Sequence, residues 1–267
     1  MKYVTRFVVV VASVSQLMCQ SLSAQERPTA HHYFSKTPHE HIAHWSYTGK
    51  NGPEFWGILD PSFRLASSGK QQSPIDIKSA KAKASELPAL KFDYRIERMA
   101  AINNGHTIQH NGEPGSFLVV GDKKYSLEQY HVHTPSEHTL DGKQFDLEIH
   151  FVHKTKSGEV AVVGVFVQAD EKAEIDIPLS YDLPTKPGER VELESARNPS
   201  DFLPPSREYF TYAGSFTTPP CTEQIRWYVM KQPIGVPPKV LERFVAILKS
   251  NNRPVQNLYD RVVEKSK

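Results

Sequence analysis

His131 and His133 stand two residues apart in Gln129-Tyr130-His131-Val132-His133-Thr134-Pro135-Ser136-Glu137-His138. Asp146-Leu147-Glu148-Ile149-His150-Phe151 begins thirteen residues after His133. In a β-strand, side chains i and i+2 leave the same face. The run from Lys124 to His133 alternates as a strand does, so His131, His133 and Gln129 share a face, as do Glu148 and His150. If the segment between them turns back as a hairpin, three imidazoles converge from two neighbouring strands. Three neutral nitrogens with one open position are the ligand set of a catalytic zinc site. Gln129 and Glu148, each two residues before a ligand, are placed to fix the tautomer and orientation of the imidazoles. Any one of these histidines alone would read as structural; the trio with its same-face partners reads as a metal site.

The elements needed to hold such a site are mostly strands. Twenty prolines and fourteen glycines in 267 residues favour a turn-rich β fold over a helix bundle. Short strands are expected at 75–77, 90–94, 99–103, 107–110 and 117–120, followed by the two ligand strands. Val160 to Gln168 is an almost continuous apolar run, which suits a central strand buried on both faces. Ile225 to Lys231 alternates as a further strand. One helix is clear: after Pro237-Pro238, the residues Val240, Leu241, Phe244, Ile247 and Leu248 recur at helical spacing. Residues 169–206 show no period and read as loop with one short helix at most. No repeat or interdomain linker is visible, so a single domain is expected.

Thirty-two basic against thirty acidic residues leave a formal charge of +2, with no basic stripe interleaved with aromatics. That balance excludes nucleic acid as the natural partner. At the N-terminus, Lys2 and Arg6 precede an apolar run from Phe7 to Met18 and then small or polar residues through Ala24. This is the pattern of an export signal over residues 1–24, and the apolar run is too short for a membrane-spanning helix of about 20 residues. Residues 25–43 are a polar leader carrying His31, His32, His39 and His41 without regular ligand spacing. The folded domain is expected at 44–267. Loss of the signal removes Cys19 and leaves Cys221 as the one thiol, so no intrachain disulfide is expected. Cys221 is then either buried and inert or open to an intermolecular bond, giving a monomer or a homodimer.

Over residues 44–261 the chain resembles the α-class carbonic anhydrases, in particular the exported bacterial members. The resemblance is carried by His44-Trp45-Ser46-Tyr47, Asn51-Gly52-Pro53-Glu54-Phe55-Trp56 and Gln72-Ser73-Pro74-Ile75-Asp76-Ile77. It continues through Asn103-Asn104-Gly105-His106, the two ligand strands, Gly214-Ser215-Phe216-Thr217-Thr218-Pro219-Pro220 and Asn251-Asn252-Arg253-Pro254-Val255-Gln256. It implies a mostly β (β-dominated α+β) single domain with a large twisted, mostly antiparallel central sheet and short peripheral helices. It implies reversible hydration of carbon dioxide to bicarbonate and a proton through zinc-bound hydroxide, in a periplasmic or secreted protein without stable membrane insertion. This family is the standard example in which zinc lowers the pKa of bound water from about 15.7 to about 7.

By the same resemblance, His131, His133 and His150 bind Zn2+. Thr217 accepts the proton of the zinc-bound nucleophile and donates its own to Glu137. Thr217 and Thr218 help hold substrate or bicarbonate. Val152, Val162, Phe216 and Trp227 form an apolar wall, with Phe216 replacing the leucine common there. His106 is the proton shuttle, apt because an imidazole titrates near 6.5, and Tyr47, Asn104 and Gln109 organise the water chain. His110, His138 and His153 are not shuttle candidates; His153, three residues from His150, falls on the opposite face. Exported relatives pair a cysteine at the place of Cys221 with one before the Gln-Ser-Pro motif. Residues 63–68 contain no such partner, so this chain lacks the several kcal/mol such a loop closure contributes. The competing readings are an inactive carbonic-anhydrase-like binding protein and a zinc esterase. Retention of all three histidines, Thr217 and Glu137 weighs against the first.

Overall fold

The computed structural model describes residues 43–98, 100–173, 183–192 and 196–267. The export signal and nearly all of the histidine-bearing leader, expected from sequence at 1–24 and 25–43, lie outside the described residues. So does Met99, the expected first residue of one strand.

The strands are β1 (Asp76–Ile77), β2 (Lys83–Ala84), β3 (Leu90–Asp93), β4 (Ala100–Asn103), β5 (Ile108–Asn111), β6 (Phe117–Val120), β7 (Lys123–His133) and β8 (Thr139–Leu140). They continue with β9 (Leu147–Lys154), β10 (Val160–Ala169), β11 (Arg190–Glu192), β12 (Tyr209–Ser215), β13 (Glu223–Met230), β14 (Ile234–Val236) and β15 (Glu264–Lys265). Among the described residues, thirteen of them form one mixed sheet in the order β11-β4-β5-β7-β9-β10-β13-β12-β15-β2, with β14 on β10 and β6 bridging β3 and β7. Pairing is antiparallel except β10 with β13 and with β14, and β15 with β2. A separate parallel pair joins β1 to β8. The helices are short: α1 (Trp56–Leu59), α2 (Leu65–Ser68) and α3 (Pro238–Leu248).

The expected strands and the late helix are present, with ends shifted by one or two residues. Val160–Gln168 is the central strand its composition implied, buried along almost its whole length. Of the stretch 169–206, the described part contributes the edge strand β11 and a 3-10 turn at Pro199–Phe202.

The sheet has an apolar cluster on each face. Tyr125, Leu127, Tyr130, Val132, Ile149, Phe151, Val163 and Val165 belong to the larger one, against which α3 packs Val240, Leu241 and Phe244. Val152, Val162, Trp227, Ile225 and Tyr212 belong to the other. Tyr125, Leu127, Tyr130 and Val132 cannot all share a face of a regular strand, because the parity changes between 127 and 130. The register resolves this. Leu127 pairs with His153 and Gln129 with Val152, so Glu128 is an extra residue in a β-bulge. The bulge turns the second half of β7 by one step. Without it, Gln129, His131 and His133 would point into the larger core.

Candidate active site

β7 and β9 run antiparallel with His131 directly opposite His150. The ring centroids of His133 and His150 are 4.6 Å apart, those of His131 and His133 4.9 Å, and those of His131 and His150 5.3 Å. One nitrogen of each ring faces an acceptor oxygen. His131 Nδ1 lies 2.7 Å from Gln129 Oε1, and His133 Nδ1 lies 2.7 Å from the Asn251 carbonyl. His150 Nε2 lies 3.0 Å from Glu148 Oε1, an ion-pair distance without the alignment of a hydrogen bond. These three oxygens are acceptors, so the facing nitrogens carry the protons and the other three present lone pairs. The free set is therefore Nε2 of His131, Nε2 of His133 and Nδ1 of His150.

Ligand atoms of the three rings lie within 4.8 Å of one another. Burial, with the two neighbouring imidazoles, holds His131 well below the ordinary histidine range. Burial takes His133 down to about 4 and lowers His150 as well, against the opposing pull of Glu148. All three rings are neutral near pH 7, the form that ligates metals. His133 Nε2 and His150 Nε2 are buried with no hydrogen-bond partner among the described residues; the first faces the other rings and is an orphan that a cation would satisfy, and the second faces Glu148. The donor set fits a metal ion. A second cluster, His138, Glu148 and His150, is equally close, but its atoms are tied to one another: His138 Nδ1 is 2.7 Å from Glu148 Oε1.

Glu148 is fully buried. Burial opposes its charge, but His138 and His150 outweigh that and hold its carboxyl well below the usual range. Its Oε2 also accepts the backbone N–H groups of Glu137 at 2.9 Å and His138 at 2.8 Å. Directly across from His150 on β10 is Gly164, where a Cβ would stand 2.8 Å from Glu148 Oε1. The missing side chain is the space the carboxylate occupies.

Glu137 leaves β7 in the following loop and is buried. Its Oε1 accepts the Arg253 backbone N–H at 2.8 Å. Its Oε2 is 3.5 Å from His133 Nε2 and 3.8 Å from His150 Nδ1. Burial raises its carboxyl to about 7, while His150, the Arg253 N–H and the Thr217 hydroxyl pull the other way. Thr217, eighty residues on, is thus brought beside Glu137. It follows β12, whose end is bulged at Gly214/Ser215. At Gly214 a Cβ would meet Ser73 Oγ at 2.2 Å and Trp227 Cδ1 at 2.7 Å, so only glycine lets these chains approach. Val152, Val162, Phe216 and Trp227 do gather in one apolar cluster. The Trp227 ring stands edge-on to His150 at 4.8 Å and donates its N–H to the Ser215 carbonyl at 2.9 Å. Thr218 is half-buried, and its carbonyl accepts the Cys221 N–H in the turn that follows.

His106 is half-buried at the β4–β5 turn and lies flat on Trp45, centroids 3.7 Å apart and planes 8° apart. Burial and nearby His44 lower its pKa. Asn104 Oδ1 accepts the backbone N–H groups of His106 and Thr107, both at 2.9 Å, which shapes that turn. Asn104 Nδ2 reaches Gln109 Oε1 at 3.4 Å, and Gln109 donates to Asn111 at 2.8 Å. The Tyr47 hydroxyl is buried without a hydrogen bond among the described residues, and burial raises its pKa.

Of the histidines excluded as shuttles, two are structural. His153 Nε2 meets the Tyr94 hydroxyl at 2.6 Å, and His110 stacks on Tyr130. His138 is different: setting it wholly outside the site overlooks its bond to Glu148. Asn251 and Arg253 touch the candidate site, and spacing assigns them no place in it. Asn251 accepts from Thr134 N–H through its side chain and donates to the Val132 and His106 carbonyls. No periodicity marks either residue; only the fold brings them here, more than a hundred positions from their partners.

A large mixed sheet carrying three convergent, neutral imidazoles, two of them buried, forms a candidate metal site on a β scaffold. Residues 51–267 match the family described as eukaryotic-type carbonic anhydrase. The carbonic anhydrase of a Nostoc species is 42% identical over 224 residues, covering 82% of this chain and 84% of that protein. That of Neisseria gonorrhoeae is 40% identical over 232 residues, covering 86% and 91%. Among solved structures, the α-carbonic anhydrase of Thermovibrio ammonificans, in complex with the inhibitor sulfanilamide, superposes with a TM-score of 0.81 at 40% identity. That match covers 85% of this chain and all of that one. The chain belongs to the α-carbonic anhydrase family and is an enzyme of that class, a carbonate dehydratase.

Proposed function

We propose that the site hydrates carbon dioxide reversibly with a zinc ion held by His131 Nε2, His133 Nε2 and His150 Nδ1. The observation that carries this reading is the convergence of ligand atoms of the three rings to within 4.8 Å of one another, with the opposite nitrogens hydrogen-bonded to Gln129 and the Asn251 carbonyl or, for His150, facing Glu148. When bound, zinc supplies the positive charge that makes water acidic near neutral pH. The protein's own groups supply position and dryness. Thr217 donates its hydroxyl proton to Glu137, so toward the pocket it can only accept; that choice orients the nucleophile. The Arg253 N–H holds Glu137 in place for this. Val152, Val162, Phe216 and Trp227 exclude water and leave an apolar seat for a substrate with no charge, while Thr218 and the Thr217 backbone hold bicarbonate. His106 carries the released proton to buffer, and Tyr47, Asn104 and Gln109 hold the water chain that leads to it.

Residues 1–24 export the chain to the periplasm or the medium. Among the described residues, no helix is long and apolar enough to cross a membrane. The burial of Cys221 supports a protein that is not disulfide-linked to a second copy. Stopped-flow carbon dioxide hydration, with and without a chelator, tests the reading. Zinc-loaded protein that adds nothing to the buffer rate would refute it.

A further inference from the structure

The loop ahead of β11 grips the turn that carries His106, and the catalytic reading gives it no part. Lys186-Pro187-Gly188-Glu189 is a type II turn. Gly188 takes its third place at φ +83°, and the Glu189 N–H donates to the Lys186 carbonyl at 3.0 Å. Glu189 then ties the turn shut with its side chain. Its Oε2 accepts the backbone N–H groups of Thr185 at 2.6 Å and Lys186 at 2.9 Å, and the Thr185 hydroxyl at 3.3 Å. The N–H groups of Lys186 and Thr185 hold its carboxyl below the usual range, so near pH 7 it only accepts.

What this loop holds is Asn103, the buried last residue of β4. The Asn103 carbonyl accepts the Gly188 N–H at 2.7 Å, and its N–H donates to the Glu189 carbonyl at 3.0 Å. Its Nδ2 donates to the Pro184 carbonyl at 3.3 Å, and its Oδ1 accepts the Gly105 N–H at 3.0 Å. A Cβ at Gly105 would lie 3.8 Å from Pro187 Cβ, so the two turns rest against each other. His106 follows at once, its carbonyl held by Asn251 Nδ2 at 3.0 Å. We propose that Glu189 is a positioning residue for the proton shuttle: its carboxylate closes the Thr185–Glu189 loop on Asn103, which fixes where the β4–β5 turn presents His106. It acts on placement, to which a relay between fixed stations is sensitive, and not on the hydration step.

The inference rests on His106 as the shuttle, so His106→Ala is measured beside the new variants. Stopped-flow hydration of carbon dioxide should show kcat of Glu189→Ala about tenfold lower, kcat/KM unchanged, and kcat restored by imidazole buffer. Glu189→Gln keeps an acceptor oxygen without the charge and should stay within about twofold of wild type. Glu192→Ala removes an acid from the adjoining strand, paired with Arg190 at 2.7 Å, and should change nothing. Gly188→Ala strains the same turn without altering charge, since no atom lies within 4 Å of its Cβ while φ is +83°. It should lower kcat in the same way, and it decides if Glu189→Ala does not fold. Amide exchange in excess chelator reads the loop without turnover: the Gly188, Asn103 and Gly105 amides should exchange about tenfold faster in Glu189→Ala and not in Glu192→Ala.

That pattern supports the inference. Unchanged exchange or unchanged kcat in Glu189→Ala overturns it. So does a Gln variant as slow as the Ala variant, which would make charge the cause, or an equal fall in kcat and kcat/KM, which would mean general damage. Slow His106→Ala with normal Glu189→Ala overturns the inference and leaves the shuttle standing. Normal kcat in His106→Ala refutes the shuttle and overturns the inference with it.

Discussion

His110 offers a direct test of how this chain keeps histidines neutral. Its ring is 1% exposed and stacks on Tyr130 at 5.0 Å, and neither nitrogen has a hydrogen-bond partner among the described residues. Burial alone takes its pKa from 6.5 to about 3. The folded value is depressed, so the unfolded chain binds the proton more readily. Stability is whole above pH 6.5 and is lost as pH falls toward 3, below which the ring is charged in both states. At pH 5 the unfolded histidine is almost fully protonated and the folded one almost fully neutral, which costs about 2 kcal/mol relative to pH 7.5. His110→Phe keeps the stack and removes the titration. The larger ring changes packing by a pH-independent amount, so the quantity to read is the difference between the two pH values. Urea denaturation of both proteins at pH 7.5 and 5.0, in excess chelator, should show the variant losing about 2 kcal/mol less than wild type. Equal losses would refute the argument that His110 is held neutral by desolvation.

Other outcomes follow from the same geometry. Gly164→Ala places a methyl group 2.8 Å from Glu148 Oε1, and zinc release to a chelator should quicken on the order of tenfold. Thr217→Ala should lower carbon dioxide hydration on the order of 10²-fold in stopped-flow assays through loss of orientation. His106→Ala should slow proton release but not the hydration step, so added imidazole buffer should restore kcat while kcat/KM stays unchanged. Cys221 is fully buried and burial pushes its thiol up to about 11. It should react with a thiol reagent only after denaturation, and non-reducing electrophoresis should show no linked dimer.

The three ligands and their partners Gln129 and Glu148 are legible in the sequence because strand parity is a local rule that needs no knowledge of neighbours. The same rule misleads over the full length of β7, where Tyr125 and Leu127 share parity with His131 yet lie in the opposite core. No residue type announces the bulge at Glu128; it exists because both halves of the strand have something to bury. The roles of Thr217, Glu137 and His106 come from likeness to a family and not from spacing. Asn251 and Arg253 make contacts at the site that the sequence does not disclose, since hydrogen bonds across 116 to 119 residues leave no periodic trace. The strand order is equally hidden: the parallel placing of β13 beside β10 depends on a long crossover that composition does not encode.

Arg253 has a consequence for the order in which this molecule can be finished. Its guanidinium is buried against the Gln72 side chain and the carbonyls of Ser73 and Ala66, all at 2.8 Å, while its own N–H holds Glu137. The ligand histidines leave the ribosome about a hundred residues before Asn251 and Arg253 do. A nascent chain that stops short of residue 250 therefore carries every metal ligand but lacks the carbonyl that faces His133 and the clasp on Glu137. Completion of the pocket therefore waits for residues 251–253. A released chain that ends at residue 250 should give up zinc to a chelator faster than the full chain.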